Sequence, residues 1–457
     1  MKTELEHAFG RAFGRRDVTS PRMQAAIREW FDLYFGRAFP GEDPADRLPV
    51  LIVSKLCRAV FAEYESRLRP GGAKTDWMIG NLRALDAVRG RAMQAALVGG
   101  ECLLKPVPAG AGFEFVPVRR DHFLPLGRDL QGRLQAVGTM QRISRGGRRY
   151  ALLERRTAGE KGLTIETRLF ELAGETLGRE VPLDTLPETE ALRPTLLLPG
   201  VSGVGLAVLR TPMANCVDGS PDPVAVFAPA AGLLHRLGRT EHGLSREFEN
   251  GASRVFASED LLRGEGPGDR ALTDDLFVGL PEDPANLGVT VYSPALREQS
   301  YLARKQDILR GCESLIGLRR GTLCEAETAE RTATEITATG ADAALTVGDF
   351  QQMWRQAVCQ ALALCDALGR AYGLCGAEPF DPAAALNLDW GDGLLYDRAA
   401  AWQEYRQMVA DGLLRPELAL AWYFGLPHET EADLAAVRRR WMPAAKGGDE
   451  DGQAQQP

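Results

Sequence analysis

Few side chains in this 457-residue sequence are spaced for chemistry. Five histidines occur, His7, His122, His235, His242 and His428. His235 and His242 would share one helix face, but two turns apart, whereas a helical metal pair is spaced by four. They read as solvated or capping histidines. The eight cysteines, Cys57, Cys102, Cys216, Cys312, Cys324, Cys359, Cys365 and Cys375, form no C-x-x-C pair and mostly sit in apolar context. That suits reduced, buried thiols of cytosolic origin better than zinc ligands, which cluster at short spacing. Gly200, Gly203 and Gly205 in "LPGVSGVGLA" lack the Lys-Ser/Thr of a phosphate-cradling loop, and an apolar segment follows them, so an ordinary loop is expected. No G-x-S-x-G elbow or H-E-x-x-H pair is present. These features point away from an enzyme and imply no metal or cofactor. Arg319 and Arg320, in "LRR" between two long helical segments, suit a solvated helix end, where cations complement the dipole.

Composition narrows the class further. The chain is 45% apolar and 25% charged, as in an ordinary soluble protein, and its length allows about three domains. Its net charge of −8 argues against a protein that grips phosphates, because such affinity comes mainly from Lys and Arg. It does not argue against one that lets DNA slip past. The N-terminus is polar and lacks the apolar centre of a signal peptide, and no run of about 18 apolar residues could span a membrane.

The elements follow from periodicity. Residues 20–40, 47–66 and 75–98 read as amphipathic helices, the first with a Ser-Pro start. The pattern then changes to period two over 112–118, 134–144, 149–157 and 162–172, an antiparallel meander. Alternation of Leu163, Ile165 and Leu169 with polar residues predicts one buried and one wet face. A helical region spans 219–251, with Leu233, Leu237, Leu244 and Phe248 on one stripe, and Pro229 resets its start. Its glycines Gly232, Gly238 and Gly243 are tolerable where a neighbouring helix packs close. Residues 252–294 are extended around a Gly/Pro-rich centre, and 295–318 return to helix, with Leu302, Leu309, Cys312 and Ile316 on one face.

A long helix then runs to about Gly373, with a stripe from Phe350 to Tyr372 and its apolar face starting at Leu345. Its opening, "ERTATEITATGADA", is rich in β-branched residues, which are poor helix formers. Thr332 and Glu335 have the spacing of a capping box, and Gly340 leaves room for a neighbour or a kink, so a hinge is expected there. A strand and turn at 385–397, helices at 398–411 and 415–424, and a third from "ETEADLAAVRRRW" complete the pattern. The polar tail 443–457 is expected to be disordered. The fold class is therefore α+β.

The order of these pieces resembles a portal protein of tailed bacteriophages, of the branch found in phages and prophages of Gram-positive bacteria. "RYALLERRT…GLTIETRLFELAGETLGREVPLDTL" (149–186) is similar to that family's hairpin and following turn. "MANCVDGSPDPVAVFAPAAGLLHRL" (213–237) resembles its Asn-containing loop and Ser-Pro turn, and "FENGASRVFASEDLL" (248–262) its helix-to-strand exit. "ALREQSYLARKQDILRGCESLIGL" followed by "RTATEI" is the most specific likeness, and "LDWGDGLLYDRAAAWQEYRQMVADGLL" (388–414) resembles the C-terminal part. The sequence departs from many relatives at "SPDPVA" and at "ITATGAD".

The resemblance implies a phage portal fold with wing, helical stem, small α/β clip and helical crown. Laid on this chain it assigns 1–215 to the wing, 216–251 to the first stem helix, 252–294 to the clip and 295–316 to the second stem helix. Residues 317–384 become the channel loop and long wing helix, and 385–442 the crown. It further implies a non-enzymatic homo-oligomeric ring, typically of twelve subunits, at one capsid vertex of the virion and assembled in the host cytoplasm. Double-stranded DNA would pass through it during packaging and ejection, with no membrane involved. Terminase large subunit, a head-completion adaptor, and the major capsid and scaffolding proteins would be its partners. Arg319 and Arg320 become candidate channel residues. The alternatives are another capsid-associated minor head protein, or a soluble α+β enzyme with a site assembled in space.

Overall fold

A computed structural model describes residues 2–37, 47–174, 176–258, 277–280, 289–325, 333–391, 398–424, 426, 428 and 430–442. It is 48% helical and 23% strand, a mixed α+β chain. It divides into two compact units, Met1–Trp390 and Gly391–Pro457.

The first unit opens with α1 (Lys2–Phe13), α2 (Pro21–Tyr34) and α3 (Leu48–Val60). The Ser-Pro start of α2 acts as expected: Ser20 Oγ accepts from Met23 N, with Pro21 in the first turn. The third predicted helix is α4 (Ala73–Gly99). Between α3 and α4 lies a strand the sequence hides, β1 (Glu65–Leu68). Its four residues are too few and too polar to show a period.

Strands β2 (Glu101–Ala109) and β3 (Gly112–Arg119) pair antiparallel, and β10 (Ala207–Arg210) adds to the other edge of β2. Pro106 and Pro108 argue against a central strand. The register resolves this, because β10 pairs only with residues 101–104 and leaves the proline-bearing half of β2 as an edge.

The meander is β4 (Phe123–Arg128), β5 (Leu134–Arg145), β6 (Arg148–Gly159), β7 (Gly162–Ala173) and β8 (Thr176–Val181), in sequential antiparallel order, with β9 (Thr195–Leu198) also on β7. The stretch 112–118, read with the meander, belongs instead to the β2 sheet. The expected wet face is also corrected. Leu5, Ala8 and Phe9 of α1 pack on Leu124, Leu153 and Phe170, while Tyr150, Leu152, Leu169 and Val181 form a second cluster on neighbouring, opposite-facing positions. Both faces of β6 and β7 are thus covered. Gly138 admits α1, since a Cβ there would lie 2.4 Å from the Phe9 ring.

Residues 216–230, expected to begin a long helix, are not one. A single 3-10 turn, Ala228–Ala230, precedes α5 (Ala231–Asn250), consistent with a reset at Pro229. Strands β11 (Arg254–Ser258), β12 (Phe277–Leu280) and β13 (Val289–Tyr292) follow, in the order β12-β11-β13. β11 pairs parallel with β12 and antiparallel with β13. Helix α6 (Glu298–Ile316) then returns, and α7 (Ala333–Ala371) is the longest helix described. Its core stripe holds from Phe350 through Trp354, Val358, Leu362 and Cys365 to Leu368. It does not begin at Leu345, which is 70% exposed, and Tyr372 beyond its end is exposed too. Strand β14 (Leu386–Asp389) pairs antiparallel with β1.

In the second unit, α8 (Arg398–Ala410), α9 (Pro416–Phe424) and α10 (Glu431–Trp441) match the three expected helices. A capping box does occur here, at Thr430 and Asp433. The segments 326–332, 392–397 and 443–457 lie outside the described residues, and with them Thr332 and the tail. Glu335 and Gly340 fall in the first turns of α7, which runs without a break through Gly340; their side chains lie outside the described residues.

Candidate nucleic-acid interface

Helices α5 and α6 form an antiparallel hairpin closed at its far end by the β11–β13 sheet. Its contacts are close because small residues face large ones. A Cβ on Gly243 would stand 2.9 Å from Tyr301 Cε1, and one on Gly311 would stand 2.9 Å from Leu233 Cδ1. This is the close neighbour that excuses Gly243 inside a helix. Ion pairs reinforce the seam. Glu247 takes two bonds from the Arg297 guanidinium, at 3.0 and 2.7 Å, and a third from its backbone N at 3.2 Å. Lys305 Nζ lies 2.6 Å from Glu241 Oε1. The Arg297 bonds hold the Glu247 carboxyl down at about 2. Leu234, Leu237, Leu309, Cys312 and Ile316 bury the hairpin's root, whereas Leu302 and Phe248 near the sheet are exposed.

On one side of this hairpin is a depression of about 540 Å³. Arg236 of α5, Arg304 and Arg310 of α6, and Arg320 of the following loop line it, with Asp307 as the one acidic side chain among the described residues. Arg304, Asp307, Gly311 and Ser314 recur at helical spacing, so α6 presents them as one stripe. Arg236, Arg304 and Arg320 are exposed and make no ion pair with a described carboxylate. Among the described residues, the exposed guanidiniums of Arg236, Arg304 and Arg320 gather near one carboxylate, a basic patch on an acidic chain, and guanidinium forks match phosphate oxygens. Sequence reasoning named Arg319 and Arg320. The structure separates them: Arg320 lines the depression and Arg319, also exposed, does not. Arg236, Arg304 and Arg310 were missed because only the pairing of two helices far apart in sequence brings them together.

The other sequence candidates do not converge. His235 Nε2 lies 2.6 Å from Glu29 Oε1, tying α5 to α2. Among the described residues no group of His, Cys, Asp or Glu could hold a metal, and no helix is long and apolar enough to cross a membrane. All eight cysteines are free; Cys216 is exposed, and Cys359 and Cys375 are half-buried. Gly200, Gly203 and Gly205 all have positive φ, and Gly203 and Gly205 border a second cleft of about 860 Å³, whose other wall includes Gln356 and Gln360 of α7. Asn215 organises the loop before α5: its Oδ1 accepts from Val217 N at 2.8 Å, and its amide faces Asp218, Ser220 and Asp222.

Beside that second cleft is a buried charge cluster. Arg128 bonds both oxygens of fully buried Glu101, at 3.2 and 2.7 Å, and reaches Asp222 Oδ1 at 3.0 Å. Burial pushes the Glu101 carboxyl up, but Arg128, Arg120 and Arg210 outweigh it and leave it below the usual range. The cluster joins β2, β4 and β10 to the loop before α5. Its opposite charges pair with one another, so it reads as structural.

No protein-family model matches the chain, and no curated protein does. Among solved structures, the neck of an empty GTA particle, computed with C6 symmetry, is similar over 92% of this chain and 99% of that one, with a TM-score of 0.42 and 12% identity. The neck of a native GTA particle, computed with C12 symmetry, is similar over 93% and 99%, with a TM-score of 0.37 and 13% identity. Both TM-scores lie under 0.5, so the architecture is judged from the chain itself.

Proposed function

We propose that this chain is the subunit of a phage portal: a closed ring at one capsid vertex through which double-stranded DNA is packaged and ejected. The observation that carries the reading is the α5–sheet–α6 hairpin with an arginine-bearing loop and a very long helix after it. These pieces occur in the order that the sequence resemblance demands.

The physics is consistent. A two-helix hairpin tipped by a small sheet can stand side by side with copies of itself, in a heterologous interface that closes by rotation. The hairpin would be the stem and the β11–β13 sheet the clip, where terminase and a head-completion protein dock. The meander with α1–α4 would be the wing, and α8–α10 the crown. An acidic chain avoids the many phosphate contacts that would brake sliding, while a few arginines supply brief contacts. Capsid and scaffolding proteins would hold the wing, and Gly340 would give the start of α7 room to bend.

Negative-stain microscopy of the purified protein tests the reading. Rings, about twelve-fold and with a central hole of duplex width, are expected. Monodisperse small particles would end it.

A further inference from the structure

The loop carrying Arg319 and Arg320 is fastened at both ends to one residue, Glu313. The Glu313 main-chain oxygen accepts from Gly317 N at 3.0 Å and Leu318 N at 2.9 Å. Its Oε1 accepts from Leu323 N at 2.6 Å and Cys324 N at 3.1 Å, and its Oε2 from Cys324 Sγ at 3.1 Å. About two turns earlier on α6, Gln306 Oε1 accepts from Glu325 N at 2.9 Å. Between these anchors the loop turns through Gly317 and Gly321, both at positive φ, and Thr322 folds back on Arg319 O.

Glu313 is 0% exposed and sits beside Cys312 in the main core. No Lys, Arg or His among the described residues lies within ion-pair range of it. A buried carboxylate without a cation is costly, and an apolar side chain would fill the same space without that cost. What a carboxylate adds is a set of charge-assisted bonds to the loop. We propose that Glu313 is a positioning residue for the basic depression: it fixes loop 317–325 so that Arg320 stands against Arg236, Arg304 and Arg310. The proposal rests on reading the depression as a contact for the phosphate backbone of DNA.

Glu313→Gln keeps an oxygen for the two backbone donors but sets an amide donor against the Cys324 thiol, so it loosens the loop without emptying the site. The test uses the full-length chain, a 30-base-pair duplex as probe, and wild type, E313Q, R320A and the double variant. Affinity is followed by fluorescence anisotropy across a salt series, and amide exchange is followed at Leu323 and Cys324. E313Q is expected to speed exchange there, to weaken binding by about three- to tenfold, and to lower the salt slope by about 1, as R320A does. The double variant should bind no worse than R320A. If E313Q exchanges faster yet binds as wild type, or if the two losses add, Glu313 does not act through Arg320 and the proposal falls. If R320A itself binds as wild type, the phosphate reading of the depression falls with it, whatever the microscopy shows of rings. Should E313Q not fold, C324A removes the thiol donor from the loop side, and the same outcomes decide.

Discussion

Glu154 shows at the residue scale how this chain uses charge to hold shape. It lies on β6, bonded by Lys105 Nζ at 3.0 Å and Arg156 Nε at 2.6 Å, and Arg156 reaches on to Gly205 O at 2.8 Å. Burial pushes its carboxyl up, but Arg156 and Lys105 outweigh burial and hold it at about 2, against an ordinary 4.5. A carboxyl depressed on folding adds stability that is present above its unfolded value and lost as pH falls through the folded one. A shift of this size corresponds to about 3 kcal/mol. Glu154→Gln is therefore expected to be less stable than wild type at pH 7, with the gap closing as pH falls from 4.5 towards 2. Denaturant melts at stepped pH measure that gap. A gap independent of pH would show that the carboxylate charge contributes nothing.

At the scale of elements, the hairpin depends on close approach. Gly243 faces Tyr301 with no room for a methyl group, so Gly243→Val forces α5 and α6 apart. Overpacking of this kind costs about 1–3 kcal/mol, and β-branching adds a smaller helix penalty. A lowered melting temperature is expected, and an unchanged one would mean that the two helices separate freely there. Element types were legible wherever the period was long. Helices α2–α4 and α8–α10 and strands β3, β5, β6 and β7 follow from it, whereas β2, interrupted by Pro106 and Pro108, does not. Helix α1 was not, because its Leu5, Ala8, Phe9 and Ala12 are separated by polar residues in only three turns. Nor was β1, whose partner β14 lies more than 300 residues away.

At the scale of the whole molecule, the chain is acidic overall and carries a basic depression beside the α5–α6 hairpin. On the proposed reading, net charge would set how weakly the chain holds DNA at long range, and the arginines would set where contact occurs. On the proposed reading, reversing Arg319 and Arg320 together to glutamate is expected to lower DNA retention during packaging and to flatten the salt dependence by at least about 1, the share of Arg320. Unchanged packaging and retention would remove these two residues from any channel role. The same scale explains the limits of sequence reasoning about the site. Arg319 and Arg320 were visible as neighbours in sequence. Arg236 is over eighty residues from Arg320 and carries no motif, so nothing local marks it as part of the same surface.

By itself the sequence determined the α+β class, the helix–extended–helix order across 219–318 though not the start of its first helix, and the lack of any patterned catalytic or metal-binding motif. Each follows from local rules of periodicity, turn residues and spacing, which act within one element. The tertiary structure decided which elements meet. It covered both faces of the meander, placed the prolines of β2 on an edge, divided Arg319 from Arg320, and turned Glu313 from one more helix residue into the fastening of a loop. Those outcomes depend on contacts between segments far apart in the chain, and a single sequence holds no local trace of them.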